Sequence, residues 1–432
     1  MLSGLVAPFL ARRNVHYGWA MVAITFLTML ATAASMGMPG VLLVPLKQEF
    51  GWDTGAISGA MALRLVLYGA MGPFAAALMS RYGLKVTICS ALAMIVGGLV
   101  LSTRMTLLWQ FYVFWGVLVG MGTGMTAIVL GATVANRWFT ARRGLVLGLL
   151  TSAAATGQLV FLPIAAWLAE TYGWRVSVLA PISALSVAFV MMLLFGRDHP
   201  CEVGLAPYGE AGPPRPPPQQ PAEGAVRTAL ATLGDAAQHR MFWVLFGTFG
   251  ICGFTANGLV QTHFIPLCQD FGMAAVAGAS VLALMGMFDF FGAIGSGFLS
   301  DRFSSSKLLF WYYFLRGLSL LALPFSNFSL VGLSLFAVFY GLDWIATVPP
   351  TVKLAASSFG REQAPLVFGW IFTAHQIGAA IAALGAGITH DMLSTYLPAF
   401  FTGGVLCLVA AVTALFARPA RLPTVAPAPV QV

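Results

Sequence analysis

Twelve apolar runs, each near the length of a membrane-crossing helix, leave this chain few ways to fold. A helix needs about 20 mostly apolar residues to cross the hydrocarbon core of a bilayer. Runs of that kind fall at roughly 17–43, 54–79, 84–103, 108–136, 142–169, 175–196, 241–267, 275–299, 308–327, 329–356, 364–389 and 396–417. Hydrophobic residues fill 59% of the 432 positions and charged residues 8%, against roughly 45–50% and 25% in soluble domains. A soluble core of this size would leave too little polar surface to face water. The expected fold is an all-α membrane protein of twelve transmembrane helices, in contact with the lipid bilayer over most of its length.

The polar segments between the runs carry the topology. Met1 to Asn14 holds Arg12 and Arg13 ahead of the first run, which is too long for a signal-peptide core and lacks a clear cleavage site, so it reads as the first helix. Between the sixth and seventh runs lies a polar stretch containing Gly212-Pro-Pro-Arg-Pro-Pro-Pro218, which cannot bury a core and reads as a flexible tether. The expected units are a six-helix bundle at 1–197, a linker at 198–240, a second six-helix bundle at 241–418 and a tail at 419–432. With the N-terminus in the cytoplasm, 17 of the 22 basic residues fall in cytoplasmic segments, and only Lys47, Arg104 and Arg175 fall in outer loops. That asymmetry puts both termini and the linker in the cytoplasm, as in a multi-pass protein of the cell inner membrane. The net charge of +8 is scattered through these short segments rather than gathered on one face, so no nucleic-acid partner is expected. The five cysteines show no CxxC spacing, and neither a disulfide framework, a metal site nor a cofactor is expected.

An internal repeat divides the chain. Ala76-Ala-Leu-Met-Ser-Arg81-Tyr-Gly83 matches Gly297-Phe-Leu-Ser-Asp-Arg302, with the two arginines 221 positions apart. Leu145-Val-Leu-Gly148 matches Leu366-Val-Phe-Gly369 at the same offset of 221, which Gly157 and Gly378 also keep. A constant register at three separate places indicates duplication. Two related six-helix halves with a site between them are the architecture of a rocking transporter.

These residues are similar to those of the major facilitator superfamily. The stretches after the second and eighth runs resemble its cytoplasmic G-x-L-x-D-R-x-G motif, with Ala76, Ser80 and Ser304 as departures. Arg81, Asp301 and Arg302 are accordingly the candidate gating residues. Within the superfamily, the chain resembles the branch of monocarboxylate transporters and oxalate–formate antiporters. That likeness rests on Gly18-Trp19, Trp138-Phe-Thr-Ala-Arg142-Arg143, Tyr172-Gly-Trp-Arg175 and Asp289. It implies a monomeric carrier of a small organic anion. Three departures bear on the substrate: Ala293 stands where monocarboxylate carriers have an arginine, Gly40 follows Pro39 where they have a lysine, and Ala374-His375 replaces the antiporters' Ala-Lys.

An ionisable residue at mid-bilayer costs about 2.5–3.5 kcal/mol on insertion scales, so each such residue needs a reason. Asp289, in the middle of the eighth run, is either a proton-coupling carboxyl, whose charged form burial disfavours, or half of a permanent ion pair. His375, beside Gln376, either binds an anion when protonated or is a core histidine bonded to a neighbouring helix. Arg64 offers a planar fork suited to a carboxylate, or else makes a packing contact between the second and eleventh helices or reaches backbone carbonyls. His263 either relays protons at the outer end of the seventh helix or sits in interfacial water. Arg316 and Asp343 pair as mutual structural partners, with proton coupling as the second role open to Asp343. Trp115, Tyr340, Trp344 and Trp370 either wall a cavity or fill space. Pro349-Pro350 and Pro163 interrupt the tenth and fifth helices, as is tolerated where backbone lines a cavity. The glycines 116, 120, 122 and 124 permit close helix packing.

Proton-coupled secondary transport of a small organic acid is the reading that these features support. Export of drugs or amphipathic metabolites is the alternative, favoured by the missing carboxylate anchors and the aromatic content. The chain has no P-loop, no HExxH and no G-x-S-x-G with a partnered histidine, so neither ATP-driven pumping nor an enzyme is expected.

Overall fold

In the computed structural model, which describes residues 8, 12–13, 15–210, 222–360 and 363–417, the chain is almost wholly helical. The long helices are α1 (Tyr17–Phe50), α2 (Thr54–Tyr82), α3 (Leu84–Ser102), α4 (Leu108–Trp138), α5 (Arg143–Tyr172), α6 (Trp174–Phe195), α7 (Arg240–Asp270), α8 (Ala275–Arg302), α9 (Ser305–Ser326), α10 (Leu330–Phe359), α11 (Ala364–Leu393) and α12 (Leu397–Ala414). Eleven of these segments are long and apolar enough to cross a membrane by their described residues. The other, α5, runs unbroken for 30 residues and shows a described apolar segment at Val160–Tyr172. The expected interruption at Pro163 is absent: α5 continues through it, as helices in lipid do where neighbours take up the freed backbone groups.

The helices sort into two halves. In the first, α1 packs on α5 and α6, α2 on α4, and α3 on α6; in the second, α7 packs on α11, α8 on α10, and α9 on α12. One large apolar cluster fills each half. The halves meet where α1 faces α7, α2 faces α11 and α5 faces α8. Small residues bring the helices this close. At Gly253 in α7, a Cβ would lie 1.7 Å from the His375 carbonyl oxygen of α11, and at Gly120 in α4 it would lie 3.0 Å from the Arg64 backbone. Van der Waals packing between close backbones replaces the hydrophobic driving force that lipid cannot supply.

The duplication is visible in the backbone. Gly51 and Gly272, 221 positions apart, both adopt a left-handed conformation (φ 66° and 81°) just past α1 and α7, the conformation that favours glycine where a helix must stop. Parts of the segment between the halves are structured, although the sequence reads as a tether. Residues 197–210 fold back on the first half, where the Tyr208 carbonyl accepts from Thr140 and Ala141 and the Ala206 carbonyl pairs with His16 Nε2 at 2.9 Å. A helix at Ala222–Ala236 follows, with Thr232 and Ala236 buried. Its alanine- and leucine-rich sequence suits a helix lying on the bundle. The Pro-rich run at 212–218 and Arg215 lie outside the described residues.

Candidate functional site

Two helices are broken at equivalent levels, and the buried polar groups gather at the breaks. In α4 the helix is interrupted at Thr126–Ala127; in α10 it unwinds over 344–347, just ahead of Pro349 and Pro350, which start the next helical segment. Proline suits the first turn of a helix because it has no N–H to leave unpaired. Thr126 and Thr347 stand 221 positions apart. Each freed backbone group needs a partner inside the membrane.

At the α10 break those partners come from three other helices. Asp289 of α8 accepts from the Ile345 N–H at 2.8 Å. Ser296, two turns on in α8, donates to the Ala346 carbonyl at 2.5 Å. Arg316 of α9 donates to the Trp344 carbonyl at 2.9 Å and to the Asp343 carbonyl. Its Nε meets Asp343 Oδ2 at 2.6 Å, the pairing that the sequence suggested. The same guanidinium reaches Cys252 Sγ of α7 at 2.9 Å, and that sulfur contacts Thr347 Oγ1 at 3.3 Å. The Tyr340 and Tyr313 rings flank the guanidinium at 5.8 and 5.9 Å. Arg316, Asp343 and Asp289 are all nearly or fully buried. Two carboxylates and one guanidinium therefore gather at the same broken turn, with the guanidinium paired to Asp343, and Asp343 Oδ1 has no hydrogen-bond partner among the described residues. A buried charge without compensation is costly, so the charge state of this cluster matters more than its hydrogen-bond count.

The α4 break is held by neutral groups. Thr126 Oγ1 meets Thr32 Oγ1 of α1 at 3.1 Å and also contacts the Thr123 carbonyl. Arg64 of α2 lies buried close by, against α1. It reaches the Ser35 and Met36 carbonyls only at 3.5 Å, and its Nε has no partner among the described residues. No ion pair joins it to a described acid. The nitrogen that makes the two carbonyl contacts, Nη1, also lies 3.5 Å from Met36 Sδ, and an arginine held by three long contacts from one nitrogen keeps most of its five donors available.

The other anticipated residues separate into groups. Gln376 on α11 faces α2: a Cβ on Gly69 would fall 2.5 Å from it. Its Nε2 contacts His375 Nδ1 at 3.2 Å, and its Oε1 is unpartnered among the described residues. The His375 ring packs against Phe249 and Phe372 at 4.9 and 5.6 Å. His263 is fully enclosed; its Nε2 reaches the Ala383 carbonyl at 2.8 Å and its ring lies 5.0 Å from Tyr396. That geometry ties α7 to α11 and α12 within one half and gives the ring no contact with interfacial water. Trp115 is also fully enclosed, beside Phe111, inside the first half's core. Arg81 and Arg302 are exposed at the linker end, where Arg302 stacks on Phe298 at 4.1 Å. The side chain of Asp301 lies outside the described residues.

Three features of the site escaped the sequence. Ser296 and Cys252 are small polar residues in apolar runs with nothing to distinguish them. The break in α4 has no proline. Two π-helical segments, Tyr112–Val119 in α4 and Phe254–Val260 in α7, have no composition signal either, although such segments are frequent at functional sites.

Residues 25–383 match the family model described as "Major Facilitator Superfamily". Three relatives match over most of their lengths. The "Uncharacterized MFS-type transporter YcxA" of Bacillus subtilis (strain 168) is 24% identical over 89% of this chain and 91% of the relative. Monocarboxylate transporter 13 of Rattus norvegicus is 23% identical over 91% and 87%. Monocarboxylate transporter 11 of Mus musculus is 28% identical over 85% and 76%. Among solved structures, a partially occluded inward-open conformation of the xylose transporter of E. coli superposes with a TM-score of 0.68 at 13% identity, covering 92% of this chain and 96% of that one. At that identity the likeness is one of fold.

Proposed function

Given that the chain belongs to the major facilitator superfamily and is a multi-pass membrane transporter of small molecules, we propose that it moves a small organic acid together with protons, by alternating access between its two halves. One observation carries the reading: two buried carboxylates, Asp289 and Asp343, lie at the break in α10, where the Arg316 guanidinium pairs with Asp343 and Asp289 holds the Ile345 N–H. With Arg316 committed to Asp343, the cluster reaches neutrality by binding one proton, and Asp289, which among the described residues accepts from a backbone N–H alone, is the carboxylate to hold it. In the other half, Arg64 supplies a buried cation with no acid partner among the described residues, the complement that a carboxylate substrate needs. Gln376 Oε1 and His375 are the neighbouring polar groups on α11 for substrate binding. The relatives named monocarboxylate transporters point to the same class of solute.

In this proposal the protein works as a monomeric symporter in the cell inner membrane, with its linker and both termini cytoplasmic. Arg81, Asp301 and Arg302 gate the linker end, Tyr340 and Trp115 shape the two walls, and Asp343 and His263 act with Asp289 in proton handling. The second reading, export of drugs or amphipathic metabolites, draws on Ala293 and Gly40, which stand where anionic substrates find their anchors in the monocarboxylate branch.

The test is uptake of radiolabelled monocarboxylates into proteoliposomes with an imposed pH gradient. Accumulation driven by the gradient is expected, with Asp289→Asn losing at least tenfold of it while substrate exchange at equal pH persists. Asn keeps an acceptor for the Ile345 N–H and removes only the titrating group. Absence of uptake for every acid tried, or an Asp289→Asn variant with an unchanged response to the gradient, overturns the reading.

A further inference from the structure

At the end of the molecule away from the linker, the two halves are joined by carboxylates that cross the interface. Asp391, near the end of α11, accepts from the Thr54 N–H at 2.9 Å and the Gly55 N–H at 2.5 Å, the first free donors of α2. Glu170, near the end of α5, accepts from the Val276 N–H at 3.2 Å, in the first turn of α8. Each carboxylate belongs to one half and each helix start to the other. Glu170 and Asp391 are 221 positions apart, and so are Gly55 and Val276. The duplication has thus produced the same contact twice, related by the pseudo-twofold axis between the halves. Neither helix supplies its own acceptor there: the residues ahead of α2 and α8, Asp53 and Ala274, make no side-chain capping bond. The first turn of a helix leaves N–H groups unpaired and carries partial positive charge, so an anionic acceptor is favoured at both places.

We propose that Glu170 and Asp391 form a matched latch that holds the halves together on this face, so that opening it requires both carboxylates to leave the helix starts. Further groups surround the Asp391 arm. Lys47 of α1 lies 3.8 Å from Asp391 and donates to Thr54 Oγ1 at 2.9 Å, and His390 pairs with Asp270 at 3.2 Å. Beside the Glu170 arm is a cavity of about 440 Å³, lined in part by Gln48, Glu49, Trp174 and Gln269, which opens between the halves. Rocking of one half on the other breaks both arms at once, because α2–α11 and α5–α8 are the paired seams of the interface. The expected gating residues Arg81, Asp301 and Arg302 lie at the opposite end, so the latch is a separate element.

The inference concerns the conformational equilibrium and is tested without substrate. A reporter cysteine at Ala62, which is buried against Ala379, Ala380 and Ala383 between the halves, is labelled with a membrane-impermeant maleimide from the face away from the linker. Labelling is quantified at that position by peptide mass spectrometry. Asp391→Ala and Glu170→Ala are each expected to raise the labelling rate about two- to fivefold, as for exposed charge contacts, and the double variant about tenfold, since the two sites are distant and add. Asp53→Ala, at an acid of the same end that caps nothing, is expected to leave the rate unchanged. Monodispersity and thermal stability in detergent establish that each variant is folded. An unchanged rate in the folded double variant, or an equal rise with Asp53→Ala, overturns the latch. Neither outcome touches the proton-coupling proposal, which is read from uptake.

Discussion

Replacing Arg316 by leucine tests whether the α10 break is held by charge. The substitution strands the Asp343 carboxylate and removes the donors from the Asp343 and Trp344 carbonyls, all inside the second half. Taking one member out of a buried ion pair costs about 3–5 kcal/mol, and each carbonyl left without a donor costs roughly 1–3 kcal/mol. The unwound turn can relax, so the lower figures apply, and the total loss is about 5 kcal/mol. Adding Asp343→Leu removes the stranded charge and leaves only the two carbonyls, about 2 kcal/mol below the wild type. Stability is measured by titrating the detergent-solubilised protein with a denaturing detergent and following tryptophan fluorescence. The expected order is wild type, then the double variant, then Arg316→Leu. A single variant within about 1 kcal/mol of wild type, or a double variant no more stable than the single, would refute the assignment of Arg316 as the clamp of the broken turn.

Two further outcomes follow from other parts of the structure. At Gly253 a Cβ meets the His375 carbonyl oxygen at 1.7 Å, so Gly253→Leu should force α7 from α11 and abolish accumulation of folded protein, read by fluorescence-detected gel filtration. Gly247→Leu, in the same helix with open space around it, should accumulate normally. His199, half-buried just past α6, is held below the usual histidine range by burial first and by the Arg137 charge second, so the folded strap formed by residues 197–210 disfavours its charged form. The unfolded strap takes up a proton near pH 6.5; the strap is therefore most stable above that pH and loosens as the pH falls below it. Hydrogen exchange of residues 198–208, corrected for intrinsic rates, should quicken between pH 7.5 and 5.5, and His199→Gln should remove that dependence.

The fold was legible because lipid imposes a single rule on long apolar runs, and the repeat of 221 positions divided the runs into halves. Burial of Asp289, Arg64, Arg316 and Asp343 was legible for the same reason: a charge in the middle of an apolar run has nowhere else to go. Their partners were less accessible. Arg316 and Asp343 could be paired by charge, but the use of Asp289 to hold the Ile345 N–H depends on where α10 unwinds, and Pro349-Pro350 marked that break only to within a turn. Pro163 carried the same sequence signal and produced no break in α5, because neighbours and not the proline alone decide whether a helix parts. The segment from 222 to 236 reads as tether by its surroundings, yet a short alanine-rich helix forms where a bundle surface is available to cover it.

The two halves carry different residues at equivalent positions. Tyr68 in α2 corresponds to Asp289 in α8, Ile95 in α3 to Arg316 in α9, and Gly122 in α4 to Asp343 in α10, each pair 221 positions apart. Both halves interrupt the same helix, and both place a threonine at the break, Thr126 or Thr347, bonded to the first helix of its own half through Thr32 or Cys252. The neutral set is therefore sufficient to hold a broken helix in lipid. Charges in the second half bring a desolvation cost that the neutral set in the first half avoids, and a structural role alone gives no reason to retain them. What distinguishes the charged break is that it holds two carboxylates beside one guanidinium, so that on the proposed mechanism one proton would change its net charge. On the proposed mechanism, a proton-binding break on one side and a fixed cation, Arg64, on the other would assign proton binding and anion binding to different halves. Coupling on that mechanism would have to pass through the interface that α2, α5, α8 and α11 share, so substitutions there are expected to uncouple solute from proton without abolishing the binding of either.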